Sequence, residues 1–319
     1  MINGKLILSM ALLLLVAGCV STQRPVKVSA SDGLQINEFS ADINDVFGQE
    51  PVTLSLEVEN VGGTTAKYII AKLFGGNSGW GGNDASNTPK ALGAGTDTSL
   101  IPPLIETNKA GGFSRKIWSI TAPDLPQGLA QSFDIGVRIR YDYTTTSITP
   151  VDVISFAQFD QLRKKGTFEQ GTTATQNSNA PVRISIEVSS PITQQAADTS
   201  ISEPVTLSFV NVGSGIAFND KTAANLDFPA QSTLGKVSFN IIVSKGTLTC
   251  DNADGTSAQT SGIVTLRRGF DTVKLPCTLT LAANDLTVGV PKDTITVTVT
   301  TDYSYAIDGT ASIKVTSKK

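Results

Sequence analysis

The chain predicts an all-β fold: two tandem antiparallel β-sandwich domains behind an N-terminal signal peptide. Three observations carry this. Past the first eighteen residues the composition is rich in Thr, Ser, Val, Ile, Gly and Asn, a vocabulary of strands and turns. Apolar and hydroxylated residues alternate at period two, as in a sheet with one side in a core and the other in water. A block also recurs: Glu50-Pro51-Val52-Thr53-Leu54-Ser55 returns as Glu203-Pro204-Val205-Thr206-Leu207-Ser208. Each copy runs on to Asn-Val-Gly, at Asn60-Val61-Gly62 and at Asn211-Val212-Gly213.

The leader is residues 1–18. Lys5 charges a short start, and residues 6–16 are apolar except Ser9. A helix needs ~20 apolar residues to cross a bilayer, so this run is too short. Its three-part layout is that of a secretory signal. The ending Val16-Ala17-Gly18-Cys19 resembles the lipobox of prokaryotic lipoproteins. That resemblance implies a diacylglyceryl thioether on Cys19, which becomes the mature N-terminus on the outer face of the cell membrane. A plain cleaved signal and an uncleaved anchor are the competing readings. Two acyl chains suffice for stable anchoring. Residues 19–33 form a tether to the first strand. Its fourteen residues beyond the cysteine reach at most ~46 Å.

The first module is read over residues 34–155. Val52, Leu54, Leu56 and Val58 point one way, and Thr53, Ser55, Glu57 and Glu59 the other. Ile135, Val137, Ile139 and Tyr141 alternate in the same manner. The second module, residues 181–319, repeats the device with Ile295, Val297 and Val299 between threonines. Residues 137–143, ending Asp142-Tyr143, match 297–303, ending Asp302-Tyr303. Each module is expected to close on a hairpin, one turning at Thr144-Thr145-Thr146 and one at Asp308-Gly309; Asp-Gly favours tight turns. Tyr143 and Tyr303 are expected to pack, with their hydroxyls on local backbone. Between the modules, residues 156–180 read as a short helix and a flexible linker. Ser155 caps the helix, Phe156, Phe159 and Leu162 form a stripe that packs on a module, and Lys164-Lys165-Gly166 ends it.

At this point a family likeness is visible. The run Val58-Glu59-Asn60-Val61-Gly62-Gly63, with Ala122-Pro123 and Arg140-Tyr141-Asp142-Tyr143, resembles the CARDB-like, immunoglobulin-like modules of archaeal cell-surface proteins. Residues 204–217 and Cys250 with Leu275-Pro276-Cys277 resemble the module often found behind it. The resemblance covers nearly all of residues 34–319. It implies a surface protein of sandwich modules, which serve as adhesins, spacers and subunits alike. It does not imply a ligand, because fold alone does not set function.

Cys250 and Cys277 fall in one module of an exported chain, where a disulfide is the default; free thiols and a metal site are the alternatives. The chain has no histidine, so no imidazole acts as base, ligand or switch, and Ser-His-Asp and Cys-His arrangements are excluded. Net charge is −3 and charged residues make up 17%, which gives no footprint for nucleic acid. No cofactor, metal or catalytic site is expected. Asp251-Asn252-Ala253-Asp254-Gly255 gathers oxygens but lacks the calcium-loop spacing and reads as a solvated turn. Residues 75–98 form a glycine-rich stretch around Trp80. That ring is a candidate contact for a partner, unless it folds back onto the sandwich. Trp118 alternates with Ile120 and is expected in the core.

These features imply a non-catalytic, lipid-anchored protein for display, adhesion or protein–protein interaction, or a subunit of a surface assembly. The partner is a protein or glycan at the cell surface. The alternative is an extracytoplasmic lipoprotein that captures a solute or glycan. A hydrolase working with carboxylates alone is the third reading. Capture requires a concave site with converging polar groups.

Overall fold

The computed structural model describes residues 24–75, 79–82, 84, 89–93, 98–193, 200–220, 232–251, 260–266, 271–282 and 290–318. The fold is all-β, as the alternation predicts. In chain order the strands are β1 (Leu34–Ala41), β2 (Asp45–Phe47), β3 (Pro51–Asn60), β4 (Lys67–Phe74), β5 (Lys90–Ala91), β6 (Phe113–Thr121) and β7 (Ala130–Ile154). Helix α1 (Phe156–Lys164) follows. Then come β8 (Gly171–Thr172), β9 (Gln176–Asn177), β10 (Val182–Glu187), β11 (Ser189–Ser190), β12 (Ile192–Thr193) and β13 (Ile201–Asn211). The last are β14 (Ile216–Phe218), β15 (Lys236–Val243), β16 (Thr247–Cys250), β17 (Ser261–Thr265), β18 (Val273–Leu281) and β19 (Lys292–Thr316).

Among the described residues there are four sheets, one of them only the short pair β8-β11. A central sheet runs β17-β15-β19-β7-β4-β5. A three-stranded sheet, β1-β3-β6, belongs to the first half, and a four-stranded one, β10-β13-β18-β16, to the second. The repeated block begins β3 and recurs in β13, and both strands lie in these smaller sheets with Val52, Leu54, Val205 and Leu207 buried.

The two expected hairpins do not form. β7 and β19 are each one unbroken strand of 25 residues, and they pair with each other, antiparallel, from Ala130↔Thr316 to Ile154↔Lys292. The physical reason lies in the side chains. Thr144-Thr145-Thr146 contains no glycine, proline or asparagine to turn the chain, and β-branched threonine favours a strand. Period two continues through it: Tyr143, Thr145, Ser147, Thr149, Val151 and Val153 are all buried. At Asp308-Gly309 the long-range ladder overrides the turn signal. Asp308 meets Arg138 across the strands at 2.5 and 2.6 Å, and Gly309 stands opposite Val137.

Each long strand therefore serves both halves. β7 pairs with β4 through Gly136–Asp142 and with β9 and β12 farther on. β19 pairs with β15 through residues 297–302, and its far end, residues 314–316, pairs with β2 of the first half.

A local twofold relates the halves, centred on the pair Asp142↔Ser304, where the Ser304 hydroxyl donates to Asp142 Oδ1 at 2.5 Å. Four buried tyrosines surround it. Tyr141 OH accepts from Leu34 N–H, the first residue of β1, and Tyr303 OH accepts from Val182 N–H, the first residue of β10. Tyr143 OH accepts from Thr64 N–H and Tyr305 OH from Gly215 N–H, each just past an Asn-Val-Gly. The structural counterpart of Tyr303 is thus Tyr141, not Tyr143. A slide of two residues keeps every side chain on its face, so the sequence match tolerated it. These hydroxyls bond backbone distant in sequence rather than local backbone. Burial pushes all four above their ordinary value, so they stay protonated.

The connector between the halves also differs from its expectation. Ser155 caps α1 as predicted, its hydroxyl accepting from Gln158 N–H at 3.3 Å. No residue of the helix is buried, because Phe159 turns its ring edge-on to Phe168, 4.8 Å away, instead of to a module. The stretch read as flexible is pinned. The Asn177 side chain bonds Ile184 N–H and C=O, and Asn179 C=O accepts from Gly63 N–H at 2.7 Å.

Candidate functional site

The outer face of β3 carries Glu57 and Glu59, which the alternation sends toward water. Both are nevertheless buried, at 6% and 2% exposure, because the chain before β1 lies across them. Arg24 forks onto Glu57, with Nη1 to Oε1 at 2.8 Å and Nη2 to Oε2 at 3.2 Å. Arg115 on β6 donates from Nε to the same Oε2. Asn37 Nδ2 donates to Glu57 Oε1 at 3.3 Å and to Glu59 Oε2 at 2.7 Å, and Lys27 Nζ donates to Asn37 Oδ1 at 2.9 Å. The Arg24 fork, with Arg115 and Asn37, outweighs the desolvation of Glu57 and holds its carboxyl at about 2.

The strap continues to the first strand. Ser29 N–H donates to Val61 C=O at 2.8 Å, and the Ser29 hydroxyl donates to Asp32 Oδ2 at 2.7 Å. The tether read over residues 19–33 is therefore held against the first half from Arg24 onward. Arg24 stands five residues after Cys19, a distance of at most about 18 Å along extended chain. Cys19 itself lies outside the described residues.

Beside the strap projects a loop, residues 101–113. Leu104 and Lys109 pair their backbones at 2.9 and 3.0 Å to make a small hairpin, and Asn108 takes a φ of 51° at its turn. The base is tied to β3: Asn60 N–H donates to Gly112 C=O, and a Cβ on Gly111 would sit 1.9 Å from Asn60 C=O. Its apolar side chains face out. Ile101, Leu104 and Phe113 are 46–48% exposed, and Ile105, at 68%, exceeds every other exposed large hydrophobic among the described residues. The Arg24 guanidinium lies over the Phe113 ring, 3.8 Å from its centre. Between strap and loop is an open recess of about 680 Å³, lined by Arg24, Ile101, Phe113 and residues 107–112. The sequence reading missed this site. Its signal was available: two outward glutamates on one strand, with Arg24 and Lys27 in the segment that must pass them.

The other candidates resolve as follows. Cys250 and Cys277 are bridged, facing each other across β16 and β18. Trp80 is half-buried, edge-on to Phe133 with ring centres 5.8 Å apart. Trp118 is fully buried, as expected. Of the turn after Cys250, residues 252–255 lie outside the described residues. A second recess, of about 190 Å³, is lined by Arg138, Ser214 and Asp308 among others. Arg138 and Asp308 are forked to each other there, and the volume is below the ~300 Å³ at which small-molecule pockets begin.

No protein-family profile and no curated protein matches the chain. Among solved structures, red sea bream transglutaminase is similar at 11% identity over 90% of this chain and 31% of that one, with a TM-score of 0.18. The collagen adhesin of S. aureus is similar at 7% identity over 92% and 96%, with a TM-score of 0.11. This chain spans under a third of the transglutaminase's length. At such scores neither likeness says anything of function.

Proposed function

We propose that the chain is a non-catalytic, lipid-anchored cell-surface protein that displays a rigid double sandwich for adhesion or protein–protein contact. The observation that carries this reading is the strap. A chain anchored at Cys19 and fixed from Arg24 holds its first half close to the membrane. The shared strands, each about 80 Å of extended chain, then set the second half in a fixed relation to it.

The same strands disfavour capture. Hinge closure around a ligand needs a few residues that absorb a large backbone change. Here the passage between halves is a continuous ladder of paired strands.

The test is surface labelling of intact cells with a membrane-impermeant reagent, for the natural chain and for Cys19→Ser. The natural chain is expected in membranes and labelled, and the variant is expected in the medium. A natural chain recovered inside the cell, or equally membrane-bound without Cys19, overturns the reading.

A further inference from the structure

We infer that the hairpin loop of residues 101–113 is a second membrane contact, which seats the first half of the body on the bilayer surface beside the anchor. The inference rests on the lipid-anchor reading and names what that end of the molecule touches. Large exposed apolar side chains gathered on one element, rather than scattered singly, point to an interaction surface. This one is contributed by a single tied-down hairpin, with Ile105 at its tip.

Chain length selects the occupant. Arg24 lies directly on Phe113, and only four residues separate Arg24 from Cys19. A lipid on Cys19 therefore enters the bilayer within about 18 Å of Arg24 and so of the loop's base. At that distance the bilayer surface is the nearest large apolar body. Of the charges, Lys109 of the loop and Arg24 at its base line the recess beside the patch; Arg24 is shared with Glu57, and the loop carries one acid, Glu106. Basic side chains around apolar ones are the composition that settles at a headgroup boundary, the cations on anionic headgroups and the apolar groups just beneath.

The test uses the chain from Cys19 onward, which keeps every described residue. Cys250 and Cys277 are bridged, so Cys19 is the one free thiol among three cysteines. That thiol is coupled to a maleimide-headed lipid in vesicles of equal parts phosphatidylcholine and phosphatidylglycerol. A polarity-sensitive fluorescent amino acid replaces Ile105 in one preparation and Ile263 in another. Ile263 is 57% exposed, but it sits on β17, the strand of the central sheet farthest from β4 and β5.

On vesicles, emission from position 105 is expected to shift to the blue, and its quenching by aqueous iodide to fall several-fold. Position 263 is expected to show neither change. Adding Ile101→Asp and Leu104→Asp should restore full quenching at 105. Equal quenching at the two positions overturns the inference. So does a blue shift at 105 that grows with protein concentration without lipid, which assigns the patch to a second copy. Because the coupling is chemical, failure here is distinct from failure of the surface-labelling test, which judges the anchor alone.

Discussion

Tyr143 and Tyr303 stand opposite each other in β7 and β19, their ring centres 6.5 Å apart, and their hydroxyls accept from backbone N–H groups of different halves. Tyr143 OH accepts from Thr64 of the first half, and Tyr303 OH from Val182 of the second. Tyr143 OH also donates to Asn179 C=O of the connector at 3.4 Å, and Tyr303 OH lies 2.9 Å from the Thr145 hydroxyl of β7. The four-tyrosine cluster is thus where the halves are joined.

The glycines of the two Asn-Val-Gly motifs follow from this. A Cβ on Gly62 would lie 2.1 Å from Tyr143 OH, and one on Gly213 would lie 2.4 Å from Tyr305 OH. Gly62→Ala is expected to cost about 1–3 kcal/mol through overpacking, read as a lower urea midpoint. Tyr143→Phe in the same chain should recover part of the loss, since it removes the nearest clashing atom.

Shared strands make the halves one cooperative unit. Both tryptophans, Trp80 and Trp118, lie in the first half, so their fluorescence reports that half alone. Phe209, fully buried in the second half, packs its ring at a tilt against Phe239, centres 5.6 Å apart. Phe209→Ala should destabilise by about 3–5 kcal/mol. The tryptophan-detected midpoint is expected to fall with it, in a single transition shared with circular dichroism. A tryptophan midpoint that stays in place would show two independent bodies.

The disulfide joins neighbouring strands of the second half. In the chain-entropy model, closing its loop stabilises the fold by ~3.6 kcal/mol. Replacing both cysteines by serine should lower the urea midpoint accordingly, and without reductant a thiol reagent should leave both native cysteines unlabelled.

Acid should loosen the strap. Glu57 has an ordinary value of 4.5 and a folded value of about 2. A lowered folded value means its contribution is fully present above about 4.5 and lost as pH falls toward 2. The stability difference between the natural chain and Glu57→Gln, from urea melts at successive pH values, should be steady above that window and shrink within it. A difference that does not change with pH would show that the fork on Arg24 does not hold the strap.

Much of the fold was legible because strand period is a local property. Val52 through Val58 and Ile135 through Tyr141 announced their buried faces residue by residue. The helix cap at Ser155 was readable for the same reason. What misled was the choice of partner. Thr144-Thr145-Thr146 and Asp308-Gly309 were taken for the ends of strands because a turn is the shortest way to find a neighbour. The actual neighbour of Thr145 is Thr301, which no local pattern reveals. The strap was hidden likewise, since Glu57 looks solvated until Arg24 is laid on it.

The exchange of strand ends bears on how the molecule is made. Residues 314–316, far along the chain, pair with β2 of the first half. The N-terminal half cannot finish ahead of the C-terminal half, as successive domains ordinarily do during synthesis. A nascent chain must leave the edge at β2 open until residues 314–316 have emerged. Loss of residues 305–316 would therefore strip pairing partners from β2 and from the start of β7, both in the first half.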